Sequence, residues 1–376
     1  MNGSPDETIL AAVVEGLGQE PEFLAGWLDA APDRGDGVVR RLGLDERRHA
    51  RLLLYRTPRP RRFLADVMAI AQDLEVDRNE LAAGLRETVA LSGLAAIEAA
   101  ARGGGGHQAT RSGVLAAAHD KAEEQVQTSS ATITRVRERA TAFWADVPPD
   151  VGERRDVEAA VAWSAPLAVV ALPALDEQRA RAWLTERNVP LDGGAGTRPL
   201  RGLLLASRGA GIAFVDETLE HAERRFTVAH ELGHFLFDYV EPRDRVLREA
   251  PALIEVIDGW RPADRAERAE AILARVPLGL HTHLLERDTH GGAVYDVELA
   301  EDAASQLALE LLSPWPEALD ATRAAAAETA GLPFDERVQR AAEVLAARFA
   351  LPAERAAVRA VSALRALGIQ RGFFDR

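Results

Sequence analysis

Residues 224–237 read RRFTVAHELGHFLF and constrain the fold more than any other stretch. On a helix, two residues four apart stand one turn above each other on a single face, so His230 and His234 share that face. Val228, Leu232, Phe235 and Leu236 make the same helix apolar and send it into a core. Two imidazoles and a carboxylate buried with it are costly unless something satisfies them. A divalent ion would do so: two such nitrogens can hold Zn2+ at about 2.0–2.1 Å, leaving positions for a further ligand and a water. Glu231, beside the first histidine, is placed to take a proton from that water. Gly233 removes a side chain next to the second histidine and admits a second segment at close range.

The further ligand has to come from elsewhere in the chain, because the positions at which a third histidine of this helix would fall are Phe237 and Val240. Downstream, residues 301–312 read EDAASQLALELL. At about 100° per residue, Glu301, Ala304, Ser305, Ala308 and Leu312 share one face. Glu310 falls nearly opposite and is expected in solvent. Glu301 thus projects from a stripe of small residues that lets two helices pack closely, and a carboxylate there needs a partner. Two alternatives stand: Glu301 caps the start of its helix, a good position for an acid, or Glu298, one turn earlier, takes the ligand role. Arg225 and Asp238 flank the motif, either supporting the ligands or serving as ordinary helix-end charges.

Around this centre the pattern predicts an α+β chain, mostly helical. APLAVVALPAL is short, apolar and β-branched; LRGLLLAS and GAGIAFVDE read as strands of a hairpin with a glycine-containing turn. Four parts follow: a helical N-terminal domain (1–98), a glycine-rich linker and connecting helix (99–155), a metal-site domain (156–320) with a long insertion at 241–297, and a helical C-terminal region (321–376). The insertion brings His281, His283 and His290, which either line the cleft, assist the oxyanion, bind a second metal, or sit on a surface loop. Tyr295 is a candidate oxyanion donor.

The chain has no cysteine, which excludes disulfides, thiolate metal sites and cysteine nucleophiles. No basic start precedes an apolar core, and no run approaches the ~18–20 apolar residues that cross a bilayer. The expectation is a cytoplasmic protein with no membrane partner. The net charge of −14 argues against broad attachment to nucleic acid. Residues 40–62 are the exception, with nine arginines. Arg47, Arg48, Arg51 and Arg56 there are candidate phosphate contacts, or pair with acids of this chain or of a partner.

RRFTVAHELGHFLF, preceded by GIAFVDETLEHAE, and EDAASQLALELLSP, with its glutamate, small-residue stripe and Glu-Leu-Leu-x-Pro ending, together resemble the ImmA/IrrE family of zinc metallo-endopeptidases over residues 157–316. The resemblance implies an α+β fold with a small twisted sheet packed on the helix of His230, and it implies His230, His234 and Glu301 as zinc ligands and Glu231 as general base. It implies a protein substrate, commonly a helix-turn-helix repressor cleaved after stress or in mobile-element control. Two departures stand out. Ser305 occupies the place of an Asn or Asp that normally supports a ligand, and the 67 residues from His234 to Glu301 exceed the family's usual gap. Residues 60–85 also resemble the second half of a phage-repressor-type helix-turn-helix, which implies possible DNA binding, although no recognition helix begins with Gln, Asn or Ser. The competing readings are a DNA-binding regulator whose peptidase-like part senses without cutting, and a toxin–antitoxin component.

Overall fold

The computed structural model of the chain describes residues 20–103, 115–116, 130–191, 196–274, 278–286 and 295–371, with Val14, Gly16, Leu17 and Val276 as isolated positions. Among the described residues the α-helices of the N-terminal part are α1 (Leu24–Asp29), α2 (Asp36–Leu42), α3 (Glu46–Leu53), α4 (Phe63–Leu74) and α5 (Arg78–Gly103). A two-residue strand β1 (Leu115–Ala116), then α6 (Ser130–Ala145), α7 (Pro149–Arg154) and α8 (Val157–Ser164) lead into β2 (Leu167–Leu172) and α9 (Glu177–Thr185). Strands β3 (Leu200–Ser207) and β4 (Ala210–Asp216) precede α10 (His221–His234), a π-helical turn (Phe235–Val240), α11 (Glu241–Glu249), α12 (Ile254–Ile257) and α13 (Arg265–Ala274). After β5 (His281–Glu286) come α14 (Tyr295–Leu312), α15 (Trp315–Glu328), α16 (Phe334–Phe349) and α17 (Ala353–Ala366). The architecture is α+β and mostly helical. Among the described residues no helix is long and apolar enough to cross a membrane.

The sheet runs β1-β5-β3-β4-β2. The expected hairpin forms, with β3 antiparallel to β4 and Ser207 opposite Ala210. Its two turn residues, Arg208 (φ 52°) and Gly209 (φ 82°), both lie in the left-handed region that two-residue hairpins require. Strand β2 joins β4 in parallel and β5 joins β3 antiparallel. Every residue of β4 is buried, because both faces of the sheet are covered. Leu204, Ala206, Ala213 and Val215 belong to the main core with α10, whereas Leu203, Leu205, Ile212 and Phe214 pack on the other face against Ala90, Leu91 and Leu94 of α5 and Leu184 of α9. Period-2 side-chain alternation thus produces two cores from one apolar run.

Helix α5 runs to residue 103, past the expected boundary at 98. It is the element that ties the N-terminal part to the rest: Leu81 and Leu85 sit in the main core and its second half backs the sheet. Asp77 starts it by accepting from the amides of Asn79 and Glu80 at 2.8 and 2.9 Å. A groove-reading helix would need this start free. Here Arg78 pairs with Asp150, and the Asn79 side-chain carbonyl accepts from the Trp163 indole at 2.9 Å. Arg47, Arg48, Arg51 and Arg56 are exposed. Arg48, Arg51 and Arg56 lie 3.8, 2.7 and 3.9 Å from Glu75, Asp73 and Glu22.

The segment expected as an insertion at 241–297 supplies β5, which hydrogen-bonds to β3 inside the sheet. His290 lies outside the described residues. Glu310 corrects the expectation of solvent exposure. It is 9 % exposed, because the C-terminal helices pack over that side of α14. Arg359 of α17 donates to its Oε2 at 2.7 Å, and the Trp315 amide to its Oε1 at 2.9 Å. Arg359→Ala should destabilise the fold by about 3–5 kcal/mol, since it strands a buried carboxylate. Urea denaturation measures this, and an unchanged midpoint would mean that the pair does not hold α17 to α14.

Candidate metal centre

Helix α10 carries the polar groups of its motif in full burial: His230 and His234 are 2 % and 1 % exposed, and Glu231 is 0 % exposed. Helix α14 crosses it at the closest approach Gly233 allows. A Cβ built at Gly233 would lie 2.7 Å from the Ala304 Cα. That contact places Glu301, one turn before Ala304, over the two histidines.

Three donors converge. His230 Nε2 lies 3.1 Å from His234 Nε2 and 3.2 Å from Glu301 Oε2, and His234 Nε2 lies 3.3 Å from Glu301 Oε1. Four ligands placed tetrahedrally at about 2.0–2.1 Å from an ion are separated by roughly 3.3–3.4 Å, so this triangle fits one face of a zinc site. His283 lies within reach as well: the ligand atoms of His230, His234, His283 and Glu301 all fall within 4.8 Å of one another. Glu301 keeps 21 % of its side chain exposed, which puts the open corner of the site on its side.

The surroundings orient these groups. His234 Nδ1 meets Asp238 Oδ2 at 2.6 Å, which leaves Nε2 for the centre. Asp238 belongs to the π-helical turn, a distortion that recurs at functional sites. The same turn sends the Tyr239 hydroxyl to accept from the Gly209 amide at 2.7 Å. Ser305 Oγ lies 3.4 Å from His230 Nδ1, the place where the expected Asn or Asp would act. Arg225 sits away from the site: its guanidinium donates to the carbonyls of Phe349 and Arg155 at 3.0 and 2.9 Å.

The strands form the other wall. His283 Nδ1 lies 3.1 Å from Glu231 Oε2, and its Nε2 lies 2.9 Å from Glu301 Oε1. His281, two residues earlier on the same strand face, stacks on Tyr239 with ring centres 5.7 Å apart. Tyr295 is the first residue of α14; its side chain, like that of Glu298, lies outside the described part. Sequence reasoning missed Gly202 of β3. A Cβ there would clash with the Glu231 carboxylate, so glycine leaves it room. The visible signal is a glycine inside the aliphatic strand LRGLLLAS, and the register shifts between Leu200 and Gly202.

Glu231 Oε1 is buried and has no hydrogen-bond partner among the described atoms. An orphaned carboxylate oxygen beside three convergent donors is what a water-activating base needs before water and metal arrive. Burial opposes charge on His234, but Glu301 and Asp238 outweigh it and push it up to about 10. Burial also opposes charge on Glu301, yet His234, His230 and His283 hold it well below the usual carboxylate range. Burial lowers His230 and takes His281 down to about 4. In the metal-free protein His234 therefore carries a proton at neutral pH that a metal must displace. Zinc binding at about pH 7.5 is expected to release at least one proton per ion, with tighter binding as pH rises. Titration calorimetry in buffers of different ionisation enthalpy reads this directly. Proton-neutral binding would mean that His234 is already neutral before the ion binds.

Comparison with known proteins bears on the segment that holds the paired histidines. Residues 195–275 match the family model of the IrrE N-terminal-like domain, Peptidase_M78. The match spans the hairpin, His230, Glu231 and His234, and stops before His283 and Glu301. No curated protein and no solved structure matches the chain. The segment that holds the paired histidines is thus similar to the IrrE N-terminal-like domain of Peptidase_M78.

Proposed function

We propose that this chain is a zinc-dependent endopeptidase that cuts a regulatory protein. The observation that carries the reading is the triangle of His230, His234 and Glu301 with the unpartnered Glu231 Oε1 beside it. An ion in that triangle would supply a Lewis acid that polarises the scissile carbonyl and acidifies water. His230 and His234 offer Nε2, oriented by Ser305 and Asp238 at their other nitrogens. Glu301 offers its carboxylate from α14. Glu231 accepts the proton of the attacking water at Oε1 and returns it to the leaving amine. The buried walls of β3 and β5 keep bulk solvent from the base, and the exposed side of Glu301 is where an extended peptide would reach the centre.

The family resemblance supports a helix-turn-helix repressor as substrate, since one cut between its DNA-binding and assembly parts would end repression. The test incubates the zinc-loaded protein with repressors encoded beside its gene. Discrete fragments are expected, blocked by EDTA and restored by added zinc. Intact repressors and intact casein at stoichiometric enzyme would reject the reading.

A further inference from the structure

His283 lies at the centre of the site yet outside the segment that matches the family model, and two observations separate it from the ligands. The first is ring geometry. His230 and His234 are T-shaped, at 72° with centres 4.7 Å apart, so their nitrogens converge while their rings diverge. His283 instead stacks face to face on His234, at 22° with centres 3.6 Å apart. Two imidazoles holding one ion at tetrahedral angles keep their centres roughly 5 Å apart, so His283 cannot share an ion with His234 from where it lies. The second is that both of its nitrogens are engaged, one with the base and one with the carboxylate of α14. It is 4 % exposed, held by β5 opposite Leu204 of β3, the strand whose Gly202 makes room for Glu231.

We propose that His283 is a positioning residue of the metal centre, bridging the Glu231 and Glu301 carboxylates and fixing the base relative to the ion without entering its coordination. The inference rests on the zinc-peptidase reading above. Its physical content is that a carboxylate ligand with one oxygen anchored by a buried imidazole has lost rotational freedom before the metal arrives. Loss of such an outer partner typically weakens metal binding by about 10–100-fold while leaving the ligand set intact.

The test uses zinc and cobalt(II) as probes on the full chain. His283→Ala and His283→Phe are compared with wild type by chelator competition. Phe keeps the stacked ring on His234 and removes both hydrogen bonds. Both variants are expected to bind one ion about 10–100-fold more weakly, with the visible cobalt spectrum of wild type. Wild-type affinity in His283→Phe would reduce the residue to packing, and a changed cobalt spectrum would make it a ligand; either result overturns the proposal. A measurement on the unaltered protein guards against misfolded variants. In the cadmium-113 form with 15N-labelled histidine, His230 and His234 should show metal–nitrogen coupling and His283 none, and coupling to His283 also overturns it. Failure of wild type to bind any of these ions would remove the peptidase reading along with this one, whereas the preceding outcomes leave that reading standing.

Discussion

Replacing Glu231 by Gln should lower peptide hydrolysis by about 10²–10⁴-fold, the usual contribution of a positioned general base, while one zinc per chain stays in place. The two halves of this expectation have different physical origins. Retention follows because Glu231 stands outside the donor triangle; the His230, His234 and Glu301 separations of 3.1–3.3 Å do not involve it. Loss of hydrolysis follows because an amide has no proton affinity to draw on. Gln has the shape of Glu, so the pocket that Gly202 leaves open and the approach of His283 Nδ1 at 3.1 Å survive the change. Metal content and kcat on the cleaved repressor are read on the same sample. A variant that cleaves within fivefold of wild type would mean that another group activates the water.

Gly233→Ala should weaken zinc binding and lower stability together. Helix propensity alone favours alanine by about 1 kcal/mol. The added Cβ, however, would stand 2.7, 2.9 and 3.1 Å from the Cα, Cβ and carbonyl oxygen of Ala304. Backbone atoms cannot rotate aside, so α10 and α14 must separate, and overpacking of this kind costs about 1–3 kcal/mol. The clash outweighs the propensity gain by up to about 2 kcal/mol net. Glu301 moves with Ala304, and a metal site tolerates only about 0.5 Å of displacement. Zinc affinity should therefore fall at least about tenfold. Urea denaturation and chelator competition measure the two effects, and wild-type values in both would refute the close crossing.

Much of the site follows from spacing along one helix. The one-turn separation of His230 and His234, the place of Glu231 beside them and the small-residue face bearing Glu301 are consequences of 3.6 residues per turn, read before any fold is known. The hairpin follows similarly from two short apolar runs around Arg208 and Gly209. Glu310 shows the limit of the same periodicity: it identifies the face opposite Glu301 and says nothing of whether another helix covers that face. Residues 241–297 give no strong local pattern, so the strand that brings His283 was not readable as part of the sheet.

The sequence by itself determined which side chains could form a metal centre and that two of them lie on one face of a buried helix, because those relations are local and periodic. Only the tertiary structure decided that α14 closes on Gly233 and that Asp238 turns back to His234. It alone also placed His283 across the base from a strand paired 79 residues away with Leu204. Those contacts depend on sheet register and helix crossing, which are set by the whole core and leave no repeat in the chain.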